Sequence, residues 1–204
     1  MCYFVDNSKI TIPKNITADY DFQKEISSYI VAPEYPTVPI ITGEADELVS
    51  AKWRFNPALP EDYKSRTIGL NIRSEEVEEK PLFKNFLKNH CIIPINGFFE
   101  WKHLENHKVK VKHYLTMKGN PTFFLAGLWR MYSDGISFGV LTTASNELMS
   151  DIHNSKFRMP ICLNEKQAFH FLNSDKLEDF IFPKLNPVLN ALNVEPEKIK
   201  SNLF

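Results

Sequence analysis

The chain has 204 residues, of which 43% are hydrophobic and 24% charged, and its formal net charge is −1. These values suit one soluble globular domain, residues 1–204, with enough mass for a real core, and they do not announce a nucleic-acid binder. No apolar run reaches the length needed to span a bilayer, which excludes a membrane-spanning helix.

Residues 1–12 alternate enough to predict a strand at the very start, so that a sheet holds Cys2. Tyr20, Phe22, Ile26, Tyr29 and Ile30 stand roughly at helical spacing and predict a short helix over 19–30. Residues 32–37, punctuated by Pro33 and Pro36, predict an extended loop. A strand over 38–42, a turn at 43–47 and a returning strand over 48–55, which carries Trp53, come next. Residues 57–63 read as loop and 68–73 as a short strand. Ser74 stands where a helix cap would, and Phe83, Phe86 and Leu87 predict an amphipathic helix ending near His90.

A strand over 91–94, a turn at Ile95-Asn96-Gly97 and a strand over 98–103 follow. Residues 114–117, 122–131 and 137–143 predict three further strands of a meander, with turns at Gly119-Asn120 and Asp134-Gly135. Asn146 is placed to cap a short helix ending at Ile152. A strand over 159–163 and helices over 166–172 and 176–182 complete the pattern, and 183–204 reads as irregular. The expected class is α+β: a single domain on a bent, mostly antiparallel, barrel-like sheet with flanking helices.

The start of the chain, Met1-Cys2-Tyr3-Phe4-Val5-Asp6, soon turns polar and does not form a basic-then-apolar leader, so a cytoplasmic location is expected. Three cysteines, Cys2, Cys91 and Cys162, are odd in number and far apart, which argues against a disulfide framework. Cys91 and Cys162 lie in apolar runs and read as buried, inert thiols. His103 and His107 sit in a polar turn and make a poor zinc site; no metal or cofactor is expected. Charge is unevenly spread. Residues 1–50 hold 3 Lys/Arg against 8 Asp/Glu, whereas residues 51–158 hold 16 against 11. The central block is thus locally basic, as a phosphate-facing surface requires and as many plain solvated faces also are.

Within that block the stretch Cys91-Ile92-Ile93-Pro94-Ile95-Asn96-Gly97-Phe98-Phe99-Glu100-Trp101 is apolar except for one carboxylate. An acid flanked by two aromatics is costly to desolvate unless it is paired or hydrogen-bonded. Read alone, Glu100 is an edge-strand acid facing water. Its company along the chain changes that reading: Met1-Cys2, Asn71-Ile72-Arg73-Ser74-Glu75, and Ile152-His153 followed by Arg158-Met159-Pro160 are polar stretches at strand ends or loops, where sites tend to be built.

These stretches, together with Val31-Ala32-Pro33, Trp53 with Pro57, Glu79-Lys80-Pro81, Ala126-Gly127-Leu128-Trp129 and Leu141-Thr142-Thr143-Ala144, resemble in order the SRAP family (SOS response-associated peptidase, the abasic-site processing proteins). The resemblance runs over most of the chain. Three departures stand out. Tyr3-Phe4 follows Cys2 where the family continues Gly-Arg; Trp53-Arg54-Phe55-Asn56-Pro57 replaces Trp-Gly-Leu-Ile-Pro; and Asn154-Ser155-Lys156-Phe157 separates His153 from Arg158.

The resemblance implies a sensor of abasic sites in single-stranded DNA, working as a monomer without a cofactor. Loss of Met1 would give Cys2 a free α-amine and a thiol, with ordinary pKa values of about 7.7–8.0 and about 8.5. The amine condenses with the opened sugar aldehyde and the thiolate closes a thiazolidine. Glu100 would move protons, His153 would serve the sugar ring oxygen, and Asn71 would orient Cys2 and the sugar. Arg73 and Arg158 would meet DNA phosphates, and Trp53 and Trp101 would stack on bases. Other readings remain open at this level. Trp53 and Trp101 are also large enough for core, His153 also suits a helix C-terminus, and Arg73 also suits a pair with Glu75 or Glu78. A cysteine (auto)peptidase using Cys2 and His153, or a non-catalytic nucleic-acid module, are the alternative activities.

Overall fold

The computed structural model describes residues 3–43, 47–55, 69–104 and 109–194. In chain order the strands are β1 (Phe4–Asp6), β2 (Thr17–Ala18), β3 (Ile30–Val31), β4 (Thr37–Thr42), β5 (Glu47–Trp53), β6 (Asn71–Arg73) and β7 (His90–Ile95). They continue with β8 (Gly97–Leu104), β9 (Val109–Met117), β10 (Phe123–Tyr132), β11 (Gly135–Ala144), β12 (Arg158–Pro160), β13 (Cys162–Leu163) and β14 (Leu189–Asn193). Two α-helices flank them, α1 (Glu147–Ile152) and α2 (Glu165–Leu172).

Five strands close on themselves. β11, β10, β7, β4 and β5 pair antiparallel in that order, and β5 returns to β11 in parallel, with Trp53 opposite Phe138. A ring of this kind buries both faces of its strands, so they read as continuous apolar runs instead of alternating ones. That is why every residue of β7 is buried. Cys91, Ile93 and Ile95 face the inner core with Val38, Ile40, Leu125, Phe138 and Val140. Ile92 joins the outer core with Phe124, Leu141, Phe171 and Phe180, which α2 helps to cover.

The remaining sheet has the order β14-β9-β8-β1-β3, antiparallel throughout. The chain crosses into it at Asn96, between β7 and β8. There Asn96 N–H donates to the Asp6 carbonyl at 2.7 Å, and its side chain bonds Lys9 N and the Pro121 carbonyl. Gly97 follows because the Tyr114 ring lies where a Cβ would stand. That ring is held by a hydrogen bond from its hydroxyl to Asp6 Oδ2 at 2.8 Å. Val5, Phe98 and Leu115 turn inward from this sheet and join the core of the ring.

The barrel-like antiparallel sheet with flanking helices is as expected, but several elements differ. The helix expected over 19–30 is one 3-10 turn, Phe22–Glu25. The Asn7 side chain accepts from Ser27 N at 2.7 Å and donates to the Glu25 carbonyl, pulling the segment out of helical register. The helix expected around Phe83–Leu87 is likewise a short turn, Lys84–Phe86, and Ser74 is no cap: its hydroxyl donates to the Thr142 carbonyl at 2.9 Å. The helix expected over 176–182 shrinks to Leu177–Asp179. The tail is not irregular throughout, since β14 pairs with β9 from Leu189 opposite Met117 to Asn193 opposite His113. The strand expected over 1–12 holds only Phe4–Asp6 among the described residues. The turn at 44–46, the loop at 57–63 and His107 lie outside them. No helix among the described residues is long and apolar enough to cross a membrane.

Candidate active site

Strand alternation decides where Glu100 points. Phe98 and Glu100 share one face of β8, and Phe99 and Trp101 share the other. The face of Phe98 is the core face, so Glu100 is carried inward and is only 5% exposed. The isolated reading as a solvent-facing acid is therefore wrong for this carboxylate.

His153 reaches the same place from α1. Asn146 starts that helix by accepting from Met149 N at 3.0 Å, as its position predicts, and His153 occupies the C-cap with its N–H on the Met149 carbonyl. Two attachments dock the end of α1 onto β8. The Asn154 side chain bonds both backbone groups of His103, at 3.1 and 2.8 Å, and Lys102 Nζ reaches Asp151 Oδ1 at 2.5 Å. The His153 ring Nδ1 lies 2.7 Å from the Arg158 carbonyl, which can only accept, so Nδ1 carries the proton. In the neutral ring Nε2 then holds the lone pair. Burial lowers the pKa of His153 from its ordinary value, and the charge of Glu100 opposes that shift without cancelling it. A neutral imidazole beside a carboxylate is a proton-transfer pair.

A cleft of about 450 Å³ opens over this pair. Glu100 and His153 line it with Tyr3, Phe4 and Trp101, and Lys110, Ser155 and Lys156 stand at its mouth with His103. Tyr3 is the chain neighbour of Cys2, and Cys2 itself lies outside the described residues. The Tyr3 carbonyl accepts from Ala32 N at 2.8 Å. Val31-Ala32-Pro33 thus ties down the segment that leads to Cys2. A larger depression, about 860 Å³, lies elsewhere on the same sheet around Asp6, Asn96 and Tyr114. Asp6 is committed there to Tyr114 and Ser8, and no imidazole stands among the described residues that line the depression.

The other expected residues divide. Trp101 lines the cleft. Trp53 does not and is corrected: it is fully buried, its ring stacks on Phe138 at 5.6 Å, and its Nε1 donates to the Leu70 carbonyl at 2.9 Å. It is core and offers no face to a base. Asn71 begins β6, half-buried beside Val140 of β11, and the described wall of the cleft does not include it. Arg73 is half-exposed and pairs with Glu76 at 2.8 Å, neither of the partners weighed from the sequence. Arg158 turns inward: one Nη donates to Glu75 Oε2 at 2.7 Å, the Thr142 carbonyl at 2.7 Å and Thr142 Oγ1 at 3.1 Å. Among the described residues no group of three or more His, Cys, Asp or Glu could hold a metal ion. Cys91 and Cys162 are buried and their thiols are pushed up by desolvation, so neither is a nucleophile.

Two contributors had no assigned role in the sequence. Glu75 accepts from Arg158, from Ala144 N at 3.0 Å and from Thr143 Oγ1 at 3.2 Å, and so joins three of the motif stretches. Burial alone would raise its pKa, but the Arg158 hydrogen bond and charge, with the backbone donors, bring it below the ordinary value. Through Arg158 it fixes the carbonyl that orients His153. Asn154 is the second, since it pins the histidine's loop to β8. Both act over separations of 51 to 83 residues, which no local pattern reveals.

Known proteins share this sequence pattern and fold. A family model described as "SOS response associated peptidase (SRAP)" matches residues 1–199. The abasic site processing protein YoqW of Bacillus subtilis is 33% identical over 182 residues, 85% of this chain and 79% of that protein. YoaM of the same organism, which carries the same description, is 32% identical over 168 residues, 76% of this chain and 72% of the other. A crystal structure of a protein from Bacteroides thetaiotaomicron superposes with a TM-score of 0.80 at 27% identity, covering 95% of this chain and 92% of that one. A Bordetella bronchiseptica protein shares the fold at a TM-score of 0.74 and 19% identity. The chain belongs to the SOS response associated peptidase (SRAP) family.

Proposed function

We propose that the chain captures abasic sites in single-stranded DNA as a covalent adduct of Cys2. The observation that carries this reading is the cleft in which Glu100 and His153 meet beside Tyr3, the residue that follows Cys2. The naming of the Bacillus relatives as abasic site processing proteins supports it.

An abasic deoxyribose is mostly a closed hemiacetal, and opening it moves one proton from the O1′ hydroxyl to O4′. His153 Nε2 takes the first proton and returns it to O4′. Removal of whatever precedes Cys2 frees its α-amine, which adds to the C1′ aldehyde. Glu100 carries the two amine protons in turn to the aldehyde oxygen, which leaves as water, and an imine forms. The Cys2 thiolate then adds to C1′ and the nitrogen takes a proton, closing a thiazolidine with net loss of one water. Both nucleophiles sit on one residue, so the second step gains a large effective concentration. Lys110 and Lys156 at the cleft mouth supply cations for flanking phosphates, where this chain has Tyr3-Phe4 in place of Gly-Arg. Arg73 can leave its exposed pair with Glu76 for a phosphate at small cost. Asn71 orients the reacting groups from β6.

A denaturing gel of protein mixed with an abasic oligonucleotide tests the reading. A heat-stable slow band is expected for the processed wild type and none for Cys2→Ala. An equally strong band from Cys2→Ala removes Cys2 from the reaction. Salt-sensitive binding that ignores the lesion, with no covalent band, replaces it with a plain nucleic-acid module.

A further inference from the structure

An antiparallel sheet with one solvated face normally turns apolar side chains inward and polar ones outward. The β14-β9-β8-β1-β3 sheet departs from that rule. Val5, Ile30, Phe98 and Leu115 face the core, yet the outward face carries Phe4, Tyr29, Phe99, Trp101 and Tyr114, all partly exposed, with Tyr29 at 41%. The rings touch one another. Phe4 stacks on Tyr29 with centroids 5.3 Å apart and meets the edge of Trp101 at 4.8 Å. Tyr29 meets Phe99 at 5.2 Å, and Phe99 lies 4.9 Å from Tyr114. Lys112 projects among them, its Nζ 4.2 Å from the Phe99 centroid, 4.3 Å from Tyr29 and 5.7 Å from Trp101. A contiguous patch of this kind marks a binding surface in a way that single exposed aromatics do not.

We propose that this face is a lesion-independent subsite for single-stranded DNA, on which bases beyond the immediate neighbours of the captured nucleotide stack on Tyr29 and Phe99 while a phosphate meets Lys112. The proposal rests on reading the cleft as the abasic-site pocket, and it adds where the rest of the strand lies. Two observations select this occupant. Phe4 and Trp101 belong to the cleft and to the patch alike, and Lys110 stands at the cleft mouth next along β9, so the two surfaces are continuous. The chemistry also fits: flat aromatic faces accept any unpaired base and ammonium groups accept phosphate, the combination used by sequence-tolerant single-strand binders. The carboxylate of Asp6, bonded to Tyr114 and Ser8, bounds the patch at its far end.

Anisotropy of a labelled, undamaged oligothymidine tests the subsite, and covalent capture of a trinucleotide with a central abasic site tests the pocket separately. Tyr29→Ala should weaken oligothymidine binding about fivefold or more. Lys112→Gln should reduce the log–log salt slope by about 0.7. Both variants should capture the trinucleotide at the wild-type rate and melt within a few degrees of wild type. Unchanged oligothymidine binding in both overturns the subsite, as does an equal loss of trinucleotide capture, which would mean the variants act through the cleft or the fold. A concentration-dependent dimer that Tyr29→Ala dissolves also overturns it, by assigning the face to a second copy. Failure of the wild type itself to capture the trinucleotide removes the pocket reading, and the oligothymidine arm still decides the face.

Discussion

Replacing Arg158 with Met separates two roles for this residue, a contact to DNA phosphate and a clamp inside the protein. The structure supports a magnitude for the clamp. Its ion pair with Glu75 joins a side chain 11% exposed to one 37% exposed, so screening holds that share to at most about 1 kcal/mol. The two bonds to Thr142 cost more to lose, because Thr142 is fully buried and its oxygens lose a charged donor; roughly 1–2 kcal/mol follows. The sum, about 1–3 kcal/mol, corresponds to a fall in Tm of about 2–12 °C for a chain of this size. Calorimetry reads the stability, and titration of an undamaged oligonucleotide at several salt concentrations reads the phosphate contacts. The clamp requires the fall in Tm with an unchanged salt slope. An unchanged Tm with a slope smaller by about 0.7 would instead make Arg158 a phosphate ligand and refute the reasoning.

Glu100→Gln keeps the shape of a 5%-exposed side chain but removes its proton chemistry; capture should slow by about 10²–10⁴-fold while Tm stays within a few degrees, measured by gel kinetics and melting. His153 should make capture acid-sensitive. Its folded pKa lies below the ordinary 6.5, so the unfolded chain takes up a proton that the folded chain resists. The stability this group contributes is full above 6.5 and is lost as pH falls through the folded value, with a slope of at most about 1.4 kcal/mol per pH unit. Capture should fall over the same window in wild type, and a profile identical in His153→Gln would remove the histidine from the proton path. Gly97→Ala drives a methyl into the Tyr114 ring and strains its bond to Asp6; a loss of roughly 1–3 kcal/mol by denaturant unfolding is expected, and a change within error would show that the ring moves aside freely.

What was legible in the sequence was what local chemistry governs. Asn146 caps α1 because its side chain has a local partner, and the turns at Gly119 and Gly135 have the positive φ that glycine allows. The order of motif stretches pointed to Glu100 and His153 before their common cleft was known. What stayed hidden depends on long-range contacts. The aromatic spacing in 19–30 mimics a helix, yet Tyr29 belongs to the outer sheet face, and Asn7 holds the backbone at Ser27 open. Trp53 reads alike as core or platform until the closing β5–β11 pairing puts it inside the ring. β14 is too short and weakly alternating to be seen without its partner β9.

Intact mass spectrometry of the protein, before and after incubation with an abasic oligonucleotide, reads the covalent step directly. The expected product weighs the processed chain plus the oligonucleotide less one water, and Cys2→Ala should give no such species. A wild-type mass that does not change, or an identical adduct on Cys2→Ala, would contradict capture at Cys2.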